Sequence, residues 1–414
     1  MRFKFSLVFL LLVASGLTTF FLYRNSLSYP FQFDDFSNVV QNRSIRYLWH
    51  PRIFTESAQA RPRPVASLSY ALDFTRAQGL SVSAFRTTNL LLHALNGWLA
   101  ALLFLQWFAG RRLAWWGAFG VAGVFLTLPL AVDSVVYLSA RSTLLSLFFV
   151  QIALLCHGVK RANFVSYFGF FAAALAGFLS KESSVALLPL LLLIHRVRGR
   201  TWREAGSYVI PLLVGGATHL LLKSSYLDSA WRGFFHIQGE VEIRGFEEYA
   251  RLSLALWPRI VEIFFHPSLM AVDHEIFLPS SWSHPLVVKG ILIWILAVIV
   301  AAAWWRKPSF WQLPFLWVFA SLAPTNSFFP VLDPFSERHY YLAAPALAWG
   351  VGIIFLHLSK LWLFPIFLGL VVWGAQEGQK RAYFWRSATA LWGDTYQKYP
   401  RKFRVAFNQA MYLI

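Results

Sequence analysis

The sequence predicts an all-α polytopic membrane protein, and three observations predict it. The 414 residues are 57% hydrophobic and only 14% charged, against roughly 45–50% and about 25% in soluble domains. The apolar residues gather into runs of membrane-crossing length. Short clusters of Lys and Arg separate those runs. The net charge of +18 does not point to nucleic acid: the basic residues lie mainly in short loops and in one long loop, the pattern of membrane topology and anionic lipid phosphates. The single cysteine, Cys156, sits inside an apolar run, which excludes disulfides and thiolate metal sites within one chain. Nineteen Trp and fifteen Tyr suit the two interfacial belts.

Apolar windows predict eleven spans, near 5–23, 88–109, 113–130, 135–157, 163–180, 183–196, 206–223, 286–305, 309–324, 339–357 and 361–376. The first resembles a signal peptide around "VASGL", but its apolar run continues through "TTFFLY", and a retained signal anchor is expected. The loops at 110–112, 160–163, 195–203, 305–309 and 357–360 are basic and fall on one side, together with Arg2 and Lys4. The positive-inside rule makes that side cytoplasmic. The other side then receives a first loop, 24–87, a large loop, 224–285, and a tail, 377–414, so loops 1 and 4 are the non-cytoplasmic features of note.

The charges at span ends collect on that second side: Asp34, Asp35, Asp133, Arg141, Lys181, Glu182, Glu337 and Arg338. Unrelated spans have no reason to share one face for their charges, so a common polar cavity is expected there. Asp34 and Asp35 follow the first span directly. They read either as solvated or helix-capping carboxylates, or as a general base with its neighbour in support. Arg141, Lys181 and Arg338 stand at three span ends, an arrangement that suits a lipid-borne phosphate or a salt-bridge network. "HPSLMAVDHE" offers His266, Asp273, His274 and Glu275, a weak divalent-metal signal without tight ligand spacing; no metal and no other cofactor is expected. A phosphate-cradling Gly-rich loop, a nucleophile elbow and HExxH are all missing from the sequence.

Several blocks together resemble one family. "FQFDDFSNVVQN", "RPVASLSYALDF", "NLLLHALN", "LPLAVDSVVYLSARSTLLSLFF", "FLSKESSVALLPLLLL", "YARLSLALWPRIVEIFFHPSLMAVDHE" and "APTNSFFPVLDPFSERHYYLAAPALAWG" are collinear with elements of the transmembrane and tetratricopeptide-repeat protein O-mannosyltransferases, of the GT-C glycosyltransferase superfamily. Two departures stand out. The second-loop block opens with Leu128-Pro129 where the family has histidine-proline, and it carries Asp133 in place of a glutamate. "LWGDTYQKYPRKFRVAFNQAMYLI" (391–414) resembles the lead-in to a first repeat.

The resemblance implies a GT-C bundle over 1–376 and an inverting transfer. The sugar, mannose in the best-known members, would come from a polyprenyl phosphate and pass to a protein Ser/Thr hydroxyl. It implies Asp34 as the catalytic base with Asp35 beside it. Arg141, Arg338 and Lys181 would hold the donor phosphate, and Asp133, Glu182 and Glu337 would support them. The active site would face the periplasm or ER lumen. Other readings of the same residues remain: transfer onto a glycolipid or lipopolysaccharide, a lipid-sugar transporter, or an inactive scaffold.

Overall fold

The structure, a computed structural model, describes residues 5–49, 63–108, 110–159, 163–199, 202–222, 236–237, 241–242, 245–326, 333–358 and 363–413. The described residues are helical except for connecting segments and one antiparallel pairing, His236 with Glu242 and Ile237 with Val241. Among the described residues, five helices are long and apolar enough to cross a membrane: Phe5–Ser28, Val82–Phe108, Leu138–His157, Pro285–Arg306 and Glu337–His357. The pair Ala114–Thr127 and Pro129–Val136, bent by 56°, is long and apolar enough only when taken together, as a broken span or a re-entrant loop. The chain is an all-α membrane protein.

The helices are α1 (Phe5–Tyr23), α2 (Pro64–Arg76), α3 (Val82–Phe108), α4 (Ala114–Thr127), α5 (Val132–Val136), α6 (Arg141–His157), α7 (Phe164–Ser180) and α8 (Leu187–Val197). Then come α9 (Trp202–Leu222), α10 (Phe246–Phe265), α11 (Pro285–Arg306), α12 (Leu313–Leu322), α13 (Ala344–Leu358), α14 (Leu363–Phe384), α15 (Ala388–Lys398) and α16 (Phe403–Met411).

Each of the eleven expected windows holds a helix, but several are shorter than a bilayer. Pro129 ends α4, since it has no N–H to continue the ladder. Turns with three-residue spacing precede α8 at Glu182–Ala186 and α13 at Glu337–Ala343. The reading of 24–87 as one loop is also revised: α3 begins at Val82, so Phe85 and Arg86 belong to a long buried helix.

α3 is the central post, with α1, α4 and α6 packed around it. α4 also meets α13 and α14, and α7 bridges α6 to α9. α10, within the expected large loop, lies against α11. The crossing is close at Gly290, where a Cβ would fall 2.0 Å from the Leu254 carbonyl oxygen. The outer faces of α1, α11 and α14 present Phe9, Phe20, Leu296, Val298, Leu370 and Trp373 to the surroundings. Such faces suit contact with lipid.

The tail is not a free appendage. α15 and α16 pack on each other, and Trp392 of α15 meets Phe33 of the first loop with ring centroids 5.7 Å apart.

Candidate active site

The site is built on a break in the chain. Between α4 and α6 the backbone passes through two short turns and the five-residue α5, leaving carbonyls without helical partners. Irregular backbone is tolerated at membrane depth only when protein supplies those partners. One stripe of α3 supplies many of them. Asn89 Nδ2 donates to the Val135 and Tyr137 carbonyls at 3.1 and 3.3 Å. Arg86 Nε donates to the Val136 carbonyl at 3.1 Å. His93 Nε2 lies 3.2 Å from the Leu126 carbonyl, so that nitrogen carries the hydrogen and Nδ1 accepts from Tyr341 Oη at 2.8 Å. Asn96 Nδ2 reaches past the break, to the Leu144 carbonyl within α6 at 3.0 Å. The "NLLLHALN" block is thus a set of caps for a deliberately broken neighbour.

Arg86 also clamps the first loop by donating to the carbonyls of Ser26, Tyr29 and Pro30. The two aspartates beyond it have different surroundings. Asp35 is fully buried. Its carboxylate accepts from the Gln32 N–H at 3.1 Å and from the Ser139 N–H and Oγ, each at 2.8 Å. It therefore ties loop 1 to the turn before α6. It occupies the cap position of the turn Phe36–Val40 without a side-chain capping bond. Asp34 is only partly buried. Its backbone N–H donates to Tyr137 Oη at 3.0 Å, and its carboxylate is in no ion pair among the described residues. Phe33, just before it, has φ +50°. A bulky residue in that left-handed region stores strain, a feature that clusters at functional sites.

Burial pushes the Asp35 carboxyl up to about 6, against the opposing hydrogen bonds from Gln32 and Ser139. The folded chain therefore holds this proton more tightly than the unfolded chain. Stability from this group grows as pH falls through 6 towards about 4 and is lost as pH rises. Within that window the change is at most about 1.4 kcal/mol for each step of one in pH. Thermal unfolding of wild type and Asp35→Asn in detergent checks this. The wild type should gain on the variant towards the acid end, and a pH-independent difference contradicts it.

Arg338 lies within electrostatic range of Asp34. Its guanidinium stacks over the Tyr137 ring at 5.2 Å, donates to Ser336 Oγ at 2.9 Å and pairs with Asp333 at 2.8 Å. It feels the Asp34 charge. Beyond it lies a second group. Lys181 Nζ donates to Thr143 Oγ1 at 2.7 Å. Arg63, at the start of α2, pairs with Glu182 at 2.9 Å and donates to Ser142 Oγ at 3.1 Å. His339 stands within electrostatic range of Lys181, Arg338, Glu182 and Arg63, and its Nδ1 finds no hydrogen-bond partner among the described residues.

Other expected site residues have their side chains bonded elsewhere. Arg141 is fully buried. It pairs with Asp73 at 2.6 Å, donates from Nε to Asn89 Oδ1 at 2.8 Å and from Nη2 to the Phe85 carbonyl, and stacks on Tyr70 at 4.4 Å. Those bonds make it a framework residue with its donors already engaged. Asp133 is gripped by Arg381 through two bonds, 2.9 and 2.7 Å, and by Trp385 Nε1 at 2.9 Å. Arg381 also pairs with Asp394 at 3.0 Å, and Asp394 with Lys398 at 2.8 Å. Glu337 Oε1 accepts from the Ala271 N–H at 3.1 Å and lies 2.7 Å from His274 Nε2, while His274 Nδ1 is 2.9 Å from Tyr399 Oη. Asp133 and Glu337 thus anchor the tail.

Of the metal candidates, Asp273 bonds Lys402 Nζ at 2.7 Å and Arg404 Nε at 2.6 Å. Burial raises its carboxyl, but those two cations outweigh it and hold the group below the usual carboxylate range. His266, Asp273, His274 and Glu275 form no metal-holding group among the described residues.

Sequence reading missed Tyr137, Ser139, Arg63, His339 and Arg381. Arg63 stands directly before Pro64 in the "RPVAS" block and was the most accessible to it; nothing local marks Tyr137 as the link between Asp34 and Arg338. No protein-family model, curated protein or solved structure matches this chain.

Proposed function

We propose that the chain is a GT-C-type membrane glycosyltransferase. Its donor is a polyprenyl-phosphate sugar, with mannose as the leading candidate, and its acceptor is a protein Ser/Thr hydroxyl. One observation carries the reading: a partly exposed carboxylate, Asp34, held on a strained turn beside Arg338, while the adjacent Asp35 is spent on holding that turn. Asp34 takes the proton from the acceptor hydroxyl. The oxygen attacks the anomeric carbon from one face as the bond to the phosphate oxygen breaks on the other. The bonding pair leaves with the lipid phosphate, and the configuration inverts. Arg338 and Lys181, with Arg63 and His339 beside them, face the charge that develops there.

An apolar groove of about 640 Å³ supports a lipid-borne donor. It runs past Leu128, Pro129, Trp257, Ile260, Phe264 and Trp373. Phe264 meets Tyr340, two residues beyond Arg338, with ring centroids 6.3 Å apart. Arg141 is left out of the phosphate site, since its guanidinium is saturated within the framework. The metal ion is left out because the cations already present can answer the leaving charge.

The test of the phosphate site is Arg338→Lys, which keeps the charge and loses the planar fork. Donor affinity should fall about ten-fold or more, read by titrating purified protein with labelled donor. Wild-type affinity in the lysine variant would move the phosphate elsewhere. The cytoplasmic assignment of the short basic loops belongs to the same proposal. In a Cys156→Ala background, Arg112→Cys should react with an impermeant thiol reagent only from the cytoplasmic side and Arg401→Cys only from the other. The reverse pattern would invert the orientation.

A further inference from the structure

A cavity of about 850 Å³ opens between the C-terminal ends of α1 and α14, and Asp34 is not in its lining. A wall separates the two: Asp133 and Arg381 bonded together, and Trp385 packed on Tyr137 with ring centroids 5.2 Å apart. The cavity sits where both helices leave their apolar runs, at Tyr23-Arg24 in α1 and near Glu377 in α14. Phe20 and Phe21 on α1, and Val372 and Trp373 on α14, are exposed just inside that level. An occupant would thus have its polar part in the cavity and its apolar part along two lipid-facing helices.

The charge of the lining is uneven. It holds four cations, Arg24, Lys380, Arg381 and Lys398, against two carboxylates, Glu377 and Asp394. Arg381 and Lys398 are committed to Asp394, and Arg381 to Asp133 as well. Arg24 is exposed and in no ion pair among the described residues. Lys380, with 70% of its side chain exposed, meets Glu377 three residues back, a surface pair of small worth. Tyr29 and Tyr383 in the lining add hydroxyl groups. We propose that this cavity is a second binding site, distinct from the transfer site, for the headgroup of an anionic phospholipid entering sideways from the bilayer.

Native mass spectrometry of the full chain in detergent tests it, with phosphatidylglycerol, phosphatidylcholine and glycerol phosphate as separate probes. Phosphatidylglycerol should be retained in preference to phosphatidylcholine. Arg24→Gln and Lys380→Gln should each weaken that retention about five-fold, since a basic side chain near an anionic lipid surface contributes about that factor. Glu377→Gln should strengthen it by freeing Lys380. Arg24 and Lys380 are exposed, so neither change should disturb folding. Equal retention of the two lipids, or unchanged retention in the Arg24→Gln/Lys380→Gln double variant, would overturn the site. Glycerol phosphate displacing the lipid at equal concentration would overturn the lipid as its occupant.

Discussion

Asp34→Asn is expected to lower turnover by roughly 10²–10⁴-fold, the usual contribution of a general base. The amide is nearly isosteric but cannot take the acceptor's proton at neutral pH. Donor affinity should survive, because the proposal assigns the phosphate to Arg338 and Lys181. The Asp34 carboxylate also meets the Tyr137 hydroxyl, but the backbone N–H still donates to Tyr137 Oη in the variant, so the turn should persist. Asp35→Asn behaves differently. It replaces a carboxylate that accepts three bonds with a group that can offer a donor to a donor. The loop should loosen, and turnover should fall together with stability. Single-turnover rates, donor titration and thermal unfolding on both variants separate the two effects. Full activity in Asp34→Asn would remove that carboxylate from the chemistry.

Arg381→Met carries the largest expected loss of stability, about 3–5 kcal/mol. The guanidinium is buried between Asp133 and Asp394 and also donates to the Met270 carbonyl at 3.3 Å. Removing it leaves Asp133 with only Trp385 Nε1 and Asp394 with only Lys398, in a site that water reaches poorly, a far greater penalty than losing a surface pair. The start of the tail should loosen with it, because Asp394 on α15 loses its bond to α14 and keeps only Lys398 of its own helix. Limited proteolysis should then cut within residues 388–413 while the bundle resists. Unchanged unfolding and unchanged cleavage would show that the tail is held without Arg381, by the Asp273 and His274 contacts and its apolar packing.

The helices were legible because apolar runs are long and uniform, and each expected window does hold one. Their lengths were not. Hydropathy does not register that Pro129 breaks one run with a 56° bend, or that the chain enters α8 and α13 through tighter turns. The charged residues stood out in the sequence at the ends of apolar runs, but not by their individual duties. A carboxylate's role depends on what packs against it from far along the chain. Asp133 meets a residue 248 positions away, and Asp35 meets one 104 positions away. Nothing near "DD" distinguishes the buried locking aspartate from its more open neighbour. Arg141 illustrates the same limit. A lone arginine at the head of an apolar run suggests a ligand contact, yet Asp73, Asn89 and Tyr70 from two other helices enclose it.

The most direct measurement of the central claim is the product itself. Purified chain in lipid nanodiscs receives a β-linked polyprenyl-phosphate mannose carrying ¹³C at the anomeric carbon, with a Ser/Thr peptide and a glycolipid offered in parallel. The account predicts a labelled peptide whose anomeric signal is α-linked, with no such product from Asp34→Asn. Label on the glycolipid alone would keep the mechanism and change the acceptor. A β-linked product, or no transfer to either acceptor while the donor is shown to bind, would contradict an inverting transferase built around Asp34.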